Sequence, residues 1–249
     1  GCSNTQNIID GLNYAADNGA NVINMSLGSS FACNGPYQNA INSALAKGSI
    51  VVVAAGNGIK GVGVDAANFS PASCDGVITV GNSTISDTRA SSSNYGTRVN
   101  IAAPGVEIYS TIPGAYGNKN GTSMAASHVS GVVGLLLAAN SNLSKDQILS
   151  CLVNGADPIS VDRFIGGRLN AYKALTSCTS TIPSPTSTIP SSITSPAGVT
   201  RPTVVLPPTS APLSSSPAPV QTYTCRDAKD TTKAKPGSLK IGSLICEPH

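Results

Sequence analysis

The 249-residue sequence has no tryptophan, only two histidines and 11% charged residues, and each shortage excludes a class of protein. Its longest nearly apolar stretch, Val129 to Ala139, is 11 residues and is broken by Ser130 and two glycines. Crossing a bilayer takes about 20 residues, so no membrane span is expected. Neither sign of charge dominates the first 178 residues, where nine Lys/Arg face nine Asp/Glu, and the net +3 arises wholly from the six and three in 179–249. That balance gives no basis for a nucleic-acid partner. The seven cysteines show neither C-x-x-C spacing nor a neighbouring histidine cluster, which argues against a zinc or thiol redox site and for disulfides.

What is present divides the chain into three parts. Residues 1–178 are rich enough in apolar side chains for one sizeable domain. Between 179 and 222 stand ten prolines, nineteen Ser/Thr and a single charge, Arg201. Such a segment buries little and loses backbone donors at each proline, so it is expected to be a linker or an O-glycosylated stalk. Residues 223–249 form a small tail with Cys225 and Cys246, either the start of a binding module or a disordered end.

Within the first part, Ile8, Ile9, Leu12, Ala15 and Ala16 repeat at helical spacing. Residues 21–27 and 49–55 read as strands, with a crossover helix over 37–47 between them. The nearly continuous apolar run Ser49 to Ala55 is that of a strand covered on both faces. Residues 77–80 and 99–103 predict further strands. A central buried helix is expected over 123–139, and shorter helices over 144–153 and 169–175. The fold class is therefore α/β, a parallel sheet flanked by helices.

Ser123 stands where the chain enters the long helix, so unpaired N–H groups and the positive end of the helix dipole face its hydroxyl. Alone, a serine there is usually an N-cap. Five ordered blocks change that reading: Asn24-Met25-Ser26-Leu27-Gly28, Ala54-Ala55-Gly56-Asn57, Ser70-Pro71-Ala72, Ala103-Pro104-Gly105 and Gly121-Thr122-Ser123-Met124-Ala125. In content and order they resemble the subtilisin-like serine proteases across nearly all of 1–178. The resemblance implies the three-layer subtilisin-like fold, here truncated at its N-terminus and followed by a disordered C-terminal extension. It implies Ser123 as nucleophile and Asn57 as the side-chain donor of an oxyanion hole. It further implies that Ser26, Leu27 and Gly28 pair with an extended peptide substrate, and that Ala55 and Gly56 wall its side-chain pocket.

A serine nucleophile needs a base. His128, five residues after Ser123 on the same helix, points about 140° away at 100° per residue and is expected to be structural. His249 ends the tail and is assigned nothing. The family's order, Asp then His then Ser, places both missing partners before Gly1, so the chain as it stands is expected to be inactive. Ser127, where the family usually carries Pro, departs from the pattern without touching the chemistry.

Cys33 with Cys74 resembles a pair in extracellular family members; Cys151 with Cys178 would tie the last two helices and Cys225 with Cys246 would close a small tail loop, one of the fifteen pairings that six cysteines allow, with Cys2 left over. The expected location is extracellular. No cofactor is expected in this segment, the family's calcium sites and pro-segment lying mainly outside it, and Asp65 and Asp75 read as solvated loop acids. Sequons at Asn68, Asn82 and Asn142 read as loops, unlike those at Asn24 and Asn120. A competing reading is a non-catalytic surface or binding protein displaying a decayed protease domain on a stalk.

Overall fold

A computed structural model describes residues 4–180 and three short strands within 223–248, with side chains described up to residue 178. The chain forms two units, Gly1–Thr188 and Ile189–His249.

In the first unit, α1 (Thr5–Asp17) is capped by Asn4, whose side chain accepts from the Asn7 N–H at 2.8 Å, and buries Ile9, Leu12 and Ala16. Strands β1 (Val22–Met25), β2 (Ile50–Ala54), β3 (Ile78–Ser83) and β4 (Ile101–Pro104) form one parallel sheet in that order. Its register sets Met25 beside Val53 and Val80 beside Ile101. The crossover helix α2 (Gly35–Ala46) joins β1 to β2, with Asn34 as its N-cap and Pro36 in its first turn. A proline there sacrifices no hydrogen bond, because the first N–H groups have no helical partner.

Every residue of β2 is buried. Val51 and Val53 pack on α1 and α2, whereas Ile50, Val52 and Ala54 pack on α3 (Thr122–Ala139), α4 (Lys145–Asn154) and α5 (Ala171–Ser180). Helices on both faces of a continuous apolar strand make the expected three layers. By length and composition α3 could cross a membrane, but it packs against all four strands and buries Val129, Val133 and Leu136. It is a core helix.

Several expectations need correction. The long helix is not covered all round, since Ser127, His128, Gly131 and Leu135 are exposed along one side. A hairpin, β5 (Ile108–Ile112) with β6 (Ala115–Lys119), stands where no strand was expected. Asn82 does not lie in a loop: it is fully buried in β3 and unavailable to a glycosyltransferase. The strand was expected to end at residue 80, before Gly81. Instead it continues the strand, because a Cβ there would approach Ile165 and Val99 to 2.9 and 3.2 Å, and only glycine permits such contact. Asn68 and Asn142 are exposed as expected, and Asn24 lies in strand β1 of the sheet rather than in a loop. Asp75 is no isolated acid, since it pairs with Arg98 at 2.6 Å, while Asp65 caps a short turn by accepting from the Ala67 N–H.

Cys33–Cys74 is disulfide-bonded, as the resemblance implied, and so is Cys151–Cys178, which ties α4 to α5 as expected. They close loops of 41 and 27 residues, for which chain entropy gives about 4 and about 3.5 kcal/mol. In the second unit β7 (Tyr223–Asp227), β8 (Leu239–Ile241) and β9 (Leu244–Pro248) form an antiparallel sheet, order β7-β9-β8, with Cys225 opposite Cys246 in register. The remainder of the expected linker and extension, Cys2 and His249 lie outside the described residues.

Candidate active site

The sheet delivers three segments to one end of α3. β1 ends in Ser26-Leu27-Gly28, β2 in Ala55-Gly56-Asn57, and the turn after β6 leads through Gly121 into the helix. β1 and β2 being parallel, the first two are carboxyl ends of strands meeting a helix N-terminus, the usual place for a ligand site in such sheets.

Asn57 is held by the residue before the serine. Its Oδ1 accepts from the Thr122 N–H at 2.9 Å and from the Thr122 hydroxyl at 3.1 Å, and that hydroxyl in turn accepts from the Gly56 N–H at 3.1 Å. With the carboxamide oxygen engaged on Thr122, the amide nitrogen is the end left to donate. Gly121 caps the helix at φ +143°, a conformation that strains any side-chain-bearing residue. A Cβ there would also stand 3.1 Å from Asn57 Nδ2. Glycine at 121 therefore lets the carboxamide lie against the start of the helix.

Ser123 is half-buried, and its hydroxyl donates to the Ser26 carbonyl at 3.3 Å. Reciprocally, Ser26 Oγ donates to the Ser123 carbonyl at 2.8 Å. The Ser123 N–H, in the first turn of α3, has no partner among the described residues, as expected where a helix begins. The Ser26 hydroxyl also accepts from Asn24 Nδ2 at 2.8 Å, and Asn24 Oδ1 accepts from Ser130 Oγ at 2.9 Å. This run of polar contacts ties β1 to α3 along the site. Among the described residues, the main-chain groups of Leu27 and Gly28 are unpaired, and Ser29 beyond them bridges to Ser70 in both directions at 2.9 and 3.0 Å.

Ala55 is buried, and Gly56 has φ +102°. A Cβ on Gly56 would meet Asn94 Nδ2 at 2.4 Å and the Phe69 ring at 2.8 Å. Asn94 supports this corner by donating to the Ala55 carbonyl at 2.8 Å. All seven expected site residues thus converge, and sequence reasoning missed Thr122, Asn24, Ser130, Phe69 and Asn94. Thr122 carried no signal of its role in the sequence; its fully buried hydroxyl, which must find partners, declares it only in the fold.

His128 is exposed, and its Nδ1 lies 2.9 Å from the Met124 carbonyl. A carbonyl only accepts, so Nδ1 carries the proton and the ring is tied to its own helix. Among the described residues no histidine, aspartate or glutamate makes a hydrogen bond to Ser123. No group of three or more His, Cys, Asp or Glu among them suits a metal ion either.

Comparison with known proteins bears on this arrangement. The family model described as the subtilase family matches residues 1–188. The chain is 44% identical over 171 residues to thermitase of Thermoactinomyces vulgaris, covering 68% of this chain and 58% of thermitase. It is 48% identical over 130 residues to an extracellular protease of Xanthomonas campestris pv. campestris, covering 48% of this chain and 21% of that protein. Among solved structures it resembles a protease from Pseudoalteromonas arctica, with TM-score 0.67, 34% identity and coverage of 71% and 59% of the two chains. The chain thus spans little more than half of thermitase's length.

Proposed function

The chain belongs to the subtilase family and carries a subtilisin-like serine protease domain, and from that premise we propose that it hydrolyses peptide bonds through an acyl-enzyme on Ser123. The observation carrying this reading is the clamp of Asn57 on Thr122, which sets a carboxamide donor beside the helix start that bears the serine.

In the step this supports, Ser123 Oγ attacks the scissile carbonyl carbon and its proton passes to a base. The carbonyl oxygen takes up the electron pair and is met by Asn57 Nδ2 and the Ser123 N–H. Donors already in place stabilise that charge without reorganising as it forms. The C–N bond then breaks, the base returns the proton to the leaving amine, and water repeats the cycle on the ester. The unpaired backbone of Leu27 and Gly28 offers an extended substrate a strand to pair with, and Ala55 with Gly56 leaves room for its side chain.

The base and the acid that orients it are supplied by residues outside those described, in the family's Asp, His, Ser order, and residues 1–249 alone are inactive. The Ser123 hydroxyl's bond to the Ser26 carbonyl fits that reading, since no imidazole competes for its proton. The protein acts outside the cell, in keeping with its two disulfides and with a relative named as extracellular. A decayed, purely binding domain would have no use for the Asn57–Thr122 clamp.

Fluorophosphonate labelling tests the reading. Purified 1–249 is expected to show none at Ser123 above background, and stoichiometric labelling that disappears in Ser123→Ala would overturn the missing base. The same chain extended by the base-bearing segment should label fully and cleave casein. Failure there, with the fold intact, rejects the protease assignment.

A further inference from the structure

Resting on the protease reading, we propose that Lys119 makes the leaving-group side of the site selective for an acidic side chain. A cavity of about 380 Å³ opens beside the nucleophile, lined by Tyr109 of β5, Lys119 of β6, and Met124, Ser127 and His128 of α3 among others. Met124 directly follows Ser123, and Ser127 Oγ donates to the Ser123 main-chain carbonyl at 3.1 Å, so the cavity abuts the first turns of α3, the helix that carries the reacting serine. The acyl half of a substrate is committed elsewhere. Its carbonyl must reach Asn57, and its preceding residues run along Leu27, Gly28, Ala55 and Gly56. The amine half departs on the side that those segments leave open, where the hairpin faces α3.

The chemistry of that cavity is an aromatic and thioether wall with one ammonium at its edge. Tyr109 and Tyr116 stack with ring centroids 6.1 Å apart, steadying the hairpin. Lys119 is exposed, and no carboxylate of a described residue pairs with it, although Lys47, Lys145 and Lys173 each have an acidic partner. The nearest acid in sequence, Glu107, precedes Ile108, the residue opposite Lys119 in the hairpin, but its carboxylate forms no ion pair with Lys119 among the described residues. His128, the other cationic candidate in the lining, is tied to Met124 through Nδ1. An acidic side chain one or two residues beyond the cut would therefore meet an ammonium without a competing partner, at the two- to fivefold advantage of a partly exposed ion pair.

The test compares peptides that differ only in having Glu, Ala or Lys just after the cut, in the protein extended by its base-bearing segment. Expected is a two- to fivefold higher kcat/KM for Glu than for Lys, reversed in Lys119→Glu. An ester substrate with no residue on that side should be hydrolysed equally by both proteins. The same Glu-to-Lys ratio in both proteins overturns the proposal while leaving the protease reading intact. Should Ser123 never react, that reading fails separately, and NMR titration of residues 1–249 with the same peptides decides the cavity alone. Shifts at Tyr109 and Lys119 that are larger with Glu and lost in Lys119→Glu sustain it, and equal shifts with Glu and Lys refute it.

Discussion

The two edges of the parallel sheet are held in opposite ways. At the β4 edge, the Ala102 N–H donates to the Gly167 carbonyl at 2.8 Å and the Ala102 carbonyl accepts from the Leu169 N–H at 2.7 Å. Arg168 between them exchanges two backbone bonds with Asp157, whose carboxylate also takes Lys173 at 2.6 Å, Asn170 at 3.0 Å and the Arg168 guanidinium at 3.1 Å. The Cys151–Cys178 bridge closes the helices above. At the β1 edge the ties across to α3 are side-chain bonds, Ser130 to Asn24 to Ser26 to Ser123. Main-chain bonds survive every substitution that keeps the N–H, proline alone excepted, whereas side-chain bonds are lost with the side chain. Stability is therefore expected to reside chiefly at the β4 side and chemistry at the β1 side, and the two should be separable by mutation.

The sharpest way to separate them is at Asn57. In the catalytically complete protein, Asn57→Ala should lower kcat by about 10²- to 10³-fold, the cost of one lost oxyanion donor in subtilisin, with the melting temperature falling only by the few degrees that the lost acceptor for buried Thr122 costs. A large fall in melting temperature would make Asn57 structural. The converse probe is Cys151→Ser with Cys178→Ser, which should cost about 3.5 kcal/mol in denaturant unfolding without changing kcat. Loss of activity in folded protein would tie the β4 side to the chemistry.

Thr122→Val lies between these cases. It removes the hydroxyl bridging Gly56 and Asn57 while keeping the side chain's shape, and should lower turnover about tenfold, the equivalent of one buried hydrogen bond. Acid sharpens the comparison differently. Hydrogen bonds from Lys173 and Asn170 hold the Asp157 carboxyl below its usual range, and those from Arg89 do the same for Asp162. Their stabilisation is complete above the ordinary carboxylate value of about 4 and is lost as pH falls further, toward and through the lowered folded values. The hydrogen-exchange protection of Ala102 and Leu169, measured against the intrinsic rate at each pH, should fall below pH 4 before that of β2, and Asp157→Asn should remove much of that difference. The smallest effect is expected at Ser130→Ala, an exchange of one partly exposed hydrogen bond, with turnover reduced by less than about fivefold.

Much of the fold was legible because its signals are local. The apolar run of β2, the helical spacing of Ile9, Leu12 and Ala16, and the serine entering α3 each declare themselves within a few residues. The hairpin β5–β6 was not legible, since its polar, glycine-containing strands bury little and so lack the alternation that marks a half-buried strand. Asn82 misled because Gly81 imitates a strand end, and only the approach of Ile165 and Val99 shows why glycine is needed inside β3. Thr122 reads as an ordinary first helical residue until Gly56 and Asn57 arrive from 65 residues away.

By its order of residues this chain fixed which segments become strands and helices, which cysteines could be bridged and which serine begins a helix, since each follows from spacing, side-chain chemistry or a resemblance carried in short blocks. Only the folded arrangement decided that Thr122 would clamp Asn57, that Asn24 and Ser130 would join β1 to α3, and that Lys119 would border a cavity beside Ser123. Those contacts link residues distant along the chain, and nothing in either partner's neighbourhood specifies the other until the sheet brings them together.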